Sequence, residues 1–102
     1  MKYRIEMTQQ AGIDLRGIYE YIAFELMSPQ YALQQVERIE AQIQKLNHLP
    51  ERFRIYEKEP WKSRKLHQVG VDNFIIFYFV GQEVVTLIRI MYGGRDIDEQ
   101  LR

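Results

Sequence analysis

Apolar residues recur along this chain in different rhythms, and each rhythm predicts an element. From Phe74 to Val80, and again from Val84 to Tyr92, apolar side chains follow one another almost without interruption, rich in β-branched and aromatic types. The break at Gly81, Gln82 and Glu83 suits a tight reversal, so the stretch predicts a β-hairpin. A strand apolar at successive positions can leave neither side in water, so both arms are expected to be central strands covered on each face. With a turn symmetric about Gly81 and Gln82, Arg89 is expected opposite Phe74, on the face of Val85, Leu87 and Met91. A guanidinium on so apolar a surface lies over a ring, meets a carboxylate, or is offered to an anion.

Elsewhere the period changes. Lys2 to Glu6 alternates polar and apolar, as an outer strand does. Thr8 can cap a helix whose apolar face runs through Ala11, Leu15, Ile18, Ile22 and Leu26. Ser28-Pro29 opens a second helix, with Ala32, Val36, Ile39, Ile43 and Leu46 forming a matching seam. The short connection makes the two an antiparallel pair. Pro50 ends the second helix, and residues 51–60 predict a surface loop pinned by aromatics, with Trp61 anchoring its far end. A strand is expected over Arg64 to Val69, a turn over Gly70 to Asn73, and a short closing helix after Gly93-Gly94, capped by Asp96. Together these give an α+β fold over a single domain, residues 1–102: an N-terminal strand, an antiparallel helix pair on a four-stranded, mainly antiparallel sheet, and a short C-terminal helix.

Composition narrows the chemistry. The 102 residues suffice for one core, and 14 basic and 14 acidic side chains give no net charge, which disfavours strong binding to nucleic acid. A local basic patch survives between Trp61 and Val71, where Lys62, Arg64 and Lys65 occur with His67 and without an acid. With no cysteine and two histidines nineteen residues apart, no metal site is expected, and no glycine-rich fingerprint predicts a cofactor. The absence of an apolar leader or long apolar run predicts a soluble, cytoplasmic protein without membrane contact.

The helix segment Asp14-Leu15-Arg16-Gly17-Ile18-Tyr19-Glu20-Tyr21-Ile22-Ala23, the Leu49-Pro50 pair, and the stretches Val71 to Tyr78 and Leu87 to Ile97 resemble the RelE/ParE family of toxins from bacterial type II toxin-antitoxin modules. The likeness spans nearly the whole chain and keeps the motif order. It implies a growth-inhibiting toxin and a cognate antitoxin encoded alongside, whose extended or helical segment covers the active surface. It leaves two targets: RelE-like members cut mRNA in the ribosomal A site, and ParE-like members poison DNA gyrase. A third possibility is an inactive homologue kept as a binding module.

RNA cleavage by the RelE route needs a 2′-hydroxyl activated, phosphate charge offset and a leaving oxygen protonated. Arg95 matches the arginine that follows the last strand in RelE-like enzymes. Lys65 and His67, two apart on the expected strand, can share a face as cation and proton carrier. Arg64, Arg89 and Tyr92 are candidates for holding substrate. This cluster places metal-independent mRNA cleavage slightly ahead of gyrase inhibition. Against it, Ile75 stands where many RelE-like nucleases carry an arginine. A concave face gathering Arg64, Lys65, His67, Arg89 and Arg95 is expected for RNA, and dispersed charges for a protein target. Exposed parts of the helix pair also leave a homodimer open.

Overall fold

A computed structural model describes residues 2–94 and 96–101. Strand β1 (Arg4–Met7) leads into helix α1 (Gln9–Glu20), which runs on as a π-helical turn over Tyr21–Glu25. Helix α2 (Pro29–Lys45), a 3₁₀ turn (Pro50–Arg52), strands β2 (His67–Val71), β3 (Phe74–Val80) and β4 (Val84–Tyr92), and helix α3 (Ile97–Leu101) complete the order. The sheet order is β1-β4-β3-β2, with β1 parallel to β4 and the other pairs antiparallel. This is the α+β arrangement that the periodicities predict, with the apolar hairpin at its centre.

Local chemistry explains the boundaries. The Thr8 hydroxyl accepts a hydrogen bond from the Ala11 amide at 3.1 Å and donates one to the Ile88 carbonyl, so the cap of α1 is also a tie to the sheet. Pro29 occupies the first turn of α2, as expected, but the Ser28 side chain makes no capping bond. The helical seam expected through Leu26 stops at Ile22. In the π-helical turn the Leu26 amide reaches back five residues to the Tyr21 carbonyl, and that wider turn leaves Leu26 in solvent.

Two apolar layers clasp the sheet. On one side Ala11, Ile39, Ile43 and Leu46 of the helices meet Val69, Ile76, Tyr78, Val85, Leu87 and Ile90. On the other, Leu66, Phe77, Met91 and Leu101 pack with Tyr56, Trp61 and Ile97, so the aromatic-pinned loop and α3 cover the face that the helix pair leaves bare. Central strands apolar on both faces are thereby accounted for.

The register differs from the expected one. Val80 pairs with Val85 and Phe74 with Tyr92, and a bulge opposite Phe77 and Tyr78 inserts Ile88, so Arg89 lies opposite Phe77 rather than Phe74. The bulge also resets the alternation: Val85 and Leu87 face the helices, as does Ile90, whereas Ile88 and Met91 turn to the other layer. Strand β2 begins at His67 and not Arg64, because residues 60–65 form turns in which the Lys65 amide donates to the Lys62 carbonyl. It ends in a two-residue turn at Asp72 and Asn73. There the Asp72 carboxylate accepts from Gln35 Nε2 at 2.9 Å and Arg38 Nε at 2.7 Å, clipping the turn to α2 and explaining why Gln35 is buried.

Candidate functional site

His67 is the residue whose placement differs most from the chemistry expected of it. Its side chain is 6% exposed, and its ring stacks on Tyr78 with centroids 5.4 Å apart and planes 15° from parallel. Nδ1 lies 2.8 Å from the Phe53 carbonyl oxygen. A carbonyl can only accept, so Nδ1 carries the proton in this contact and the ring is held in one tautomer. Tyr78 is held in turn: its hydroxyl donates to the Pro50 carbonyl at 2.7 Å, and burial pushes its acidity far down. The imidazole thus belongs to a wall joining β2, β3 and the loop after α2.

The neighbouring cations do not gather around it. Lys65 lies on an exposed turn outside β2, with φ 59°, so it does not share a strand face with His67. Arg64 places its guanidinium 5.4 Å from the Trp61 ring centroid. Arg95 falls outside the described residues. Tyr92 is exposed at the end of β4, its ring edge-on to Phe74 at 6.0 Å. Gly94 permits that pose, since a Cβ there would come within 2.6 Å of the Tyr92 ring.

Arg89 is fully engaged. Its Nε and Nη2 donate to Asp14 at 2.8 and 3.1 Å, and Nη1 donates to the Gln100 carbonyl at 2.6 Å. Asp14 also accepts from the Ile90 amide at 2.9 Å and from Gln10 at 3.0 Å. Of the meanings open to Arg89 in the sequence, the carboxylate contact is the one present: this fork joins α1, β4 and α3. Asp14 carried no sign of this in the helical periodicity, which places it off the apolar face.

Concavities flank these residues. A groove of about 830 Å³ lies between α1, the π-helical turn and the ends of β3 and β4, walled by Ile13, Tyr21, Leu26, Tyr31, Phe74 and Tyr92. A second, of about 610 Å³, lies beside α3, where Asp98 accepts from the Tyr56 hydroxyl and from Lys58 Nζ. Burial, together with the bond to Asp98, pushes the Tyr56 phenol up to about 12. Among the described residues, no group of three or more His, Asp or Glu is placed to hold a metal ion, and no helix is long and apolar enough to cross a membrane.

A family model described as the ParE toxin of type II toxin-antitoxin system, parDE, matches residues 5–97. The chain belongs to the ParE toxin family. The fold of this ParE-family chain is shared with a chain from the chromosomal ParDE system of P. aeruginosa, at TM-score 0.76 and 21% identity, over 91% of this chain and 98% of that one. It is also similar to a chain of the RelBE2 toxin-antitoxin complex of Mycobacterium tuberculosis, at TM-score 0.62 and 16% identity over 90% and 92%. An archaeal RelE-RelB complex from Pyrococcus horikoshii gives TM-score 0.53 and 15% identity over 94% and 100%. Comparison with curated proteins gives no significant match.

Proposed function

We propose that this ParE-family toxin is neutralised by an antitoxin encoded alongside it, and that it arrests growth by binding DNA gyrase rather than by cutting mRNA. The antitoxin is supported by the kinship, since the solved relatives come from toxin-antitoxin systems. The choice of target rests on His67. A proton carrier for RNA cleavage must reach a ribose or a leaving oxygen, and this imidazole is buried, stacked and bonded to a backbone carbonyl. Lys65 stands apart from it on the turn, and Arg89 is neutralised by Asp14. Dispersed charges of this kind suit a protein surface better than a scissile phosphate, which reverses the order suggested by residue types alone.

Inhibition of a protein target needs shape and apolar contact, not a catalytic set. The test is induction of the toxin alone in cells, following translation, DNA breakage and mRNA ends together. Gyrase-linked breaks with translation initially intact are expected. Rapid loss of protein synthesis with cuts in translated codons overturns the proposal.

A further inference from the structure

The tip of the helix pair is built in a way that its own folding does not require. Ile22, Ala23 and Ala32 form a small buried cluster with Ile18 and Tyr19, which holds the junction of α1 and α2 together. Outside that cluster stand Phe24, 68% exposed, and Met27, 83% exposed, with Leu33 also in solvent. Met27 follows the π-helical turn with φ 54°, a left-handed position that glycine or asparagine fills at lower cost. A flexible, polarisable side chain held there, fully in water beside an exposed phenylalanine, has the character of a binding surface. Single-turn π-helices are themselves frequent at functional positions.

Charge indicates the partner. Between Arg16 and Arg38 the chain carries Glu20, Glu25 and Glu37 and no Lys, Arg or His. Glu20, Glu25 and Glu37 are all exposed. An apolar knob whose own segment carries only acidic charges repels nucleic-acid phosphates, and it disfavours tip-to-tip pairing with a second copy, where like charges would meet. It complements an apolar cleft rimmed by Lys and Arg. A peptide-like partner needs a concave floor, such as the groove walled by Tyr21 and Tyr92, whereas a convex tip needs a cleft already formed on a folded protein.

We infer that the α1–α2 tip, through Phe24 and Met27 flanked by Glu20 and Glu25, is the surface by which this toxin docks into an apolar, basic-rimmed cleft of its target protein. The inference rests on the proposal that the target is a protein.

The test compares wild type with Phe24→Ser/Met27→Ser and with Glu25→Lys, all as full chains. Readouts are growth arrest, inhibition of purified gyrase in a supercoiling assay, affinity for the antitoxin encoded alongside, urea midpoint and sedimentation. Both variants should fold as wild type and bind antitoxin within about twofold, yet lose growth arrest and weaken gyrase inhibition by about tenfold or more. Arrest unchanged by either variant overturns the inference. So does a parallel fall in antitoxin affinity, which gives the tip to the antitoxin, or a wild-type dimer that the substitutions dissociate. If wild type leaves gyrase untouched while the tip variants still relieve arrest, gyrase is excluded and tip docking stands. If both wild type and variants inhibit gyrase equally, the tip is excluded and the gyrase proposal stands.

Discussion

Replacing Asp14 by alanine should be among the costliest single changes in this chain. Its side chain is 9% exposed and accepts four hydrogen bonds, two of them from Arg89, whose own side chain is 21% exposed. The substitution leaves the Ile90 amide without its acceptor and the guanidinium with the Gln100 carbonyl. Breaking a fully buried pair by removing one partner costs about 3–5 kcal/mol. Water can reach the Arg89 side chain in part, so the lower end, about 3 kcal/mol, is expected. Against a total stability of about 5–15 kcal/mol this is a large share. For a domain of this size it corresponds to a melting temperature lower by roughly 12–24 °C.

Urea unfolding of wild type, Asp14→Ala, Arg89→Met and the double variant supplies the measurement. The double variant should be less destabilised than the two single changes added together, with a coupling of about 2 kcal/mol. Amide exchange in α3 should quicken in Arg89→Met, because Arg89 holds the Gln100 carbonyl at its end. A loss under about 1 kcal/mol for Asp14→Ala, or strict additivity, would show that the fork does not join these elements energetically.

Three further outcomes are expected. Tyr78→Phe leaves the Pro50 carbonyl without its donor inside the core, and a loss of about 1–3 kcal/mol in urea unfolding is expected; no loss would mean that water replaces the phenol. His67→Phe keeps a ring against Tyr78 but removes the bond to Phe53, so stability should fall while growth arrest persists at equal levels of folded protein; arrest abolished in folded protein would make the imidazole a reacting group. The hydrogen bond from Arg38, with that from Gln35, holds the Asp72 carboxyl below its ordinary value. A lowered acid stabilises the fold above its unfolded-state value and ceases to do so as pH falls through the folded one. The melting-temperature gap between wild type and Asp72→Asn should therefore be constant near neutrality and close below about pH 4, and a gap independent of pH would remove the charge from the clip.

Legibility followed the kind of signal each element carries. The hairpin, both helices and the edge strand were readable because period 2 and period 3.6 are local properties of consecutive residues. The bulge at Ile88 was not, since a one-residue insertion leaves no trace in an apolar run; it moved Arg89 by one position, from Ile76 to Phe77. The other two positions of the shift from Phe74 come from a turn centred between Gln82 and Glu83 rather than between Gly81 and Gln82. His67 looked available because two-residue spacing to Lys65 suggests a shared face. The spacing cannot show that the strand starts at His67, nor that a carbonyl fourteen residues earlier waits for its ring nitrogen. Asp14 and Arg89 are 75 residues apart; Arg89 shows in the sequence only as a charge among apolar neighbours, and Asp14 only as one of the charges off the apolar face of its helix.

The most direct test of a protein-directed toxin is a supercoiling titration containing only the purified chain, gyrase, plasmid and ATP. Dose-dependent loss of supercoiling with trapped DNA breaks, reversed by the antitoxin, is expected. Full gyrase activity at saturating toxin, alongside codon-specific cutting of mRNA on programmed ribosomes, would contradict it.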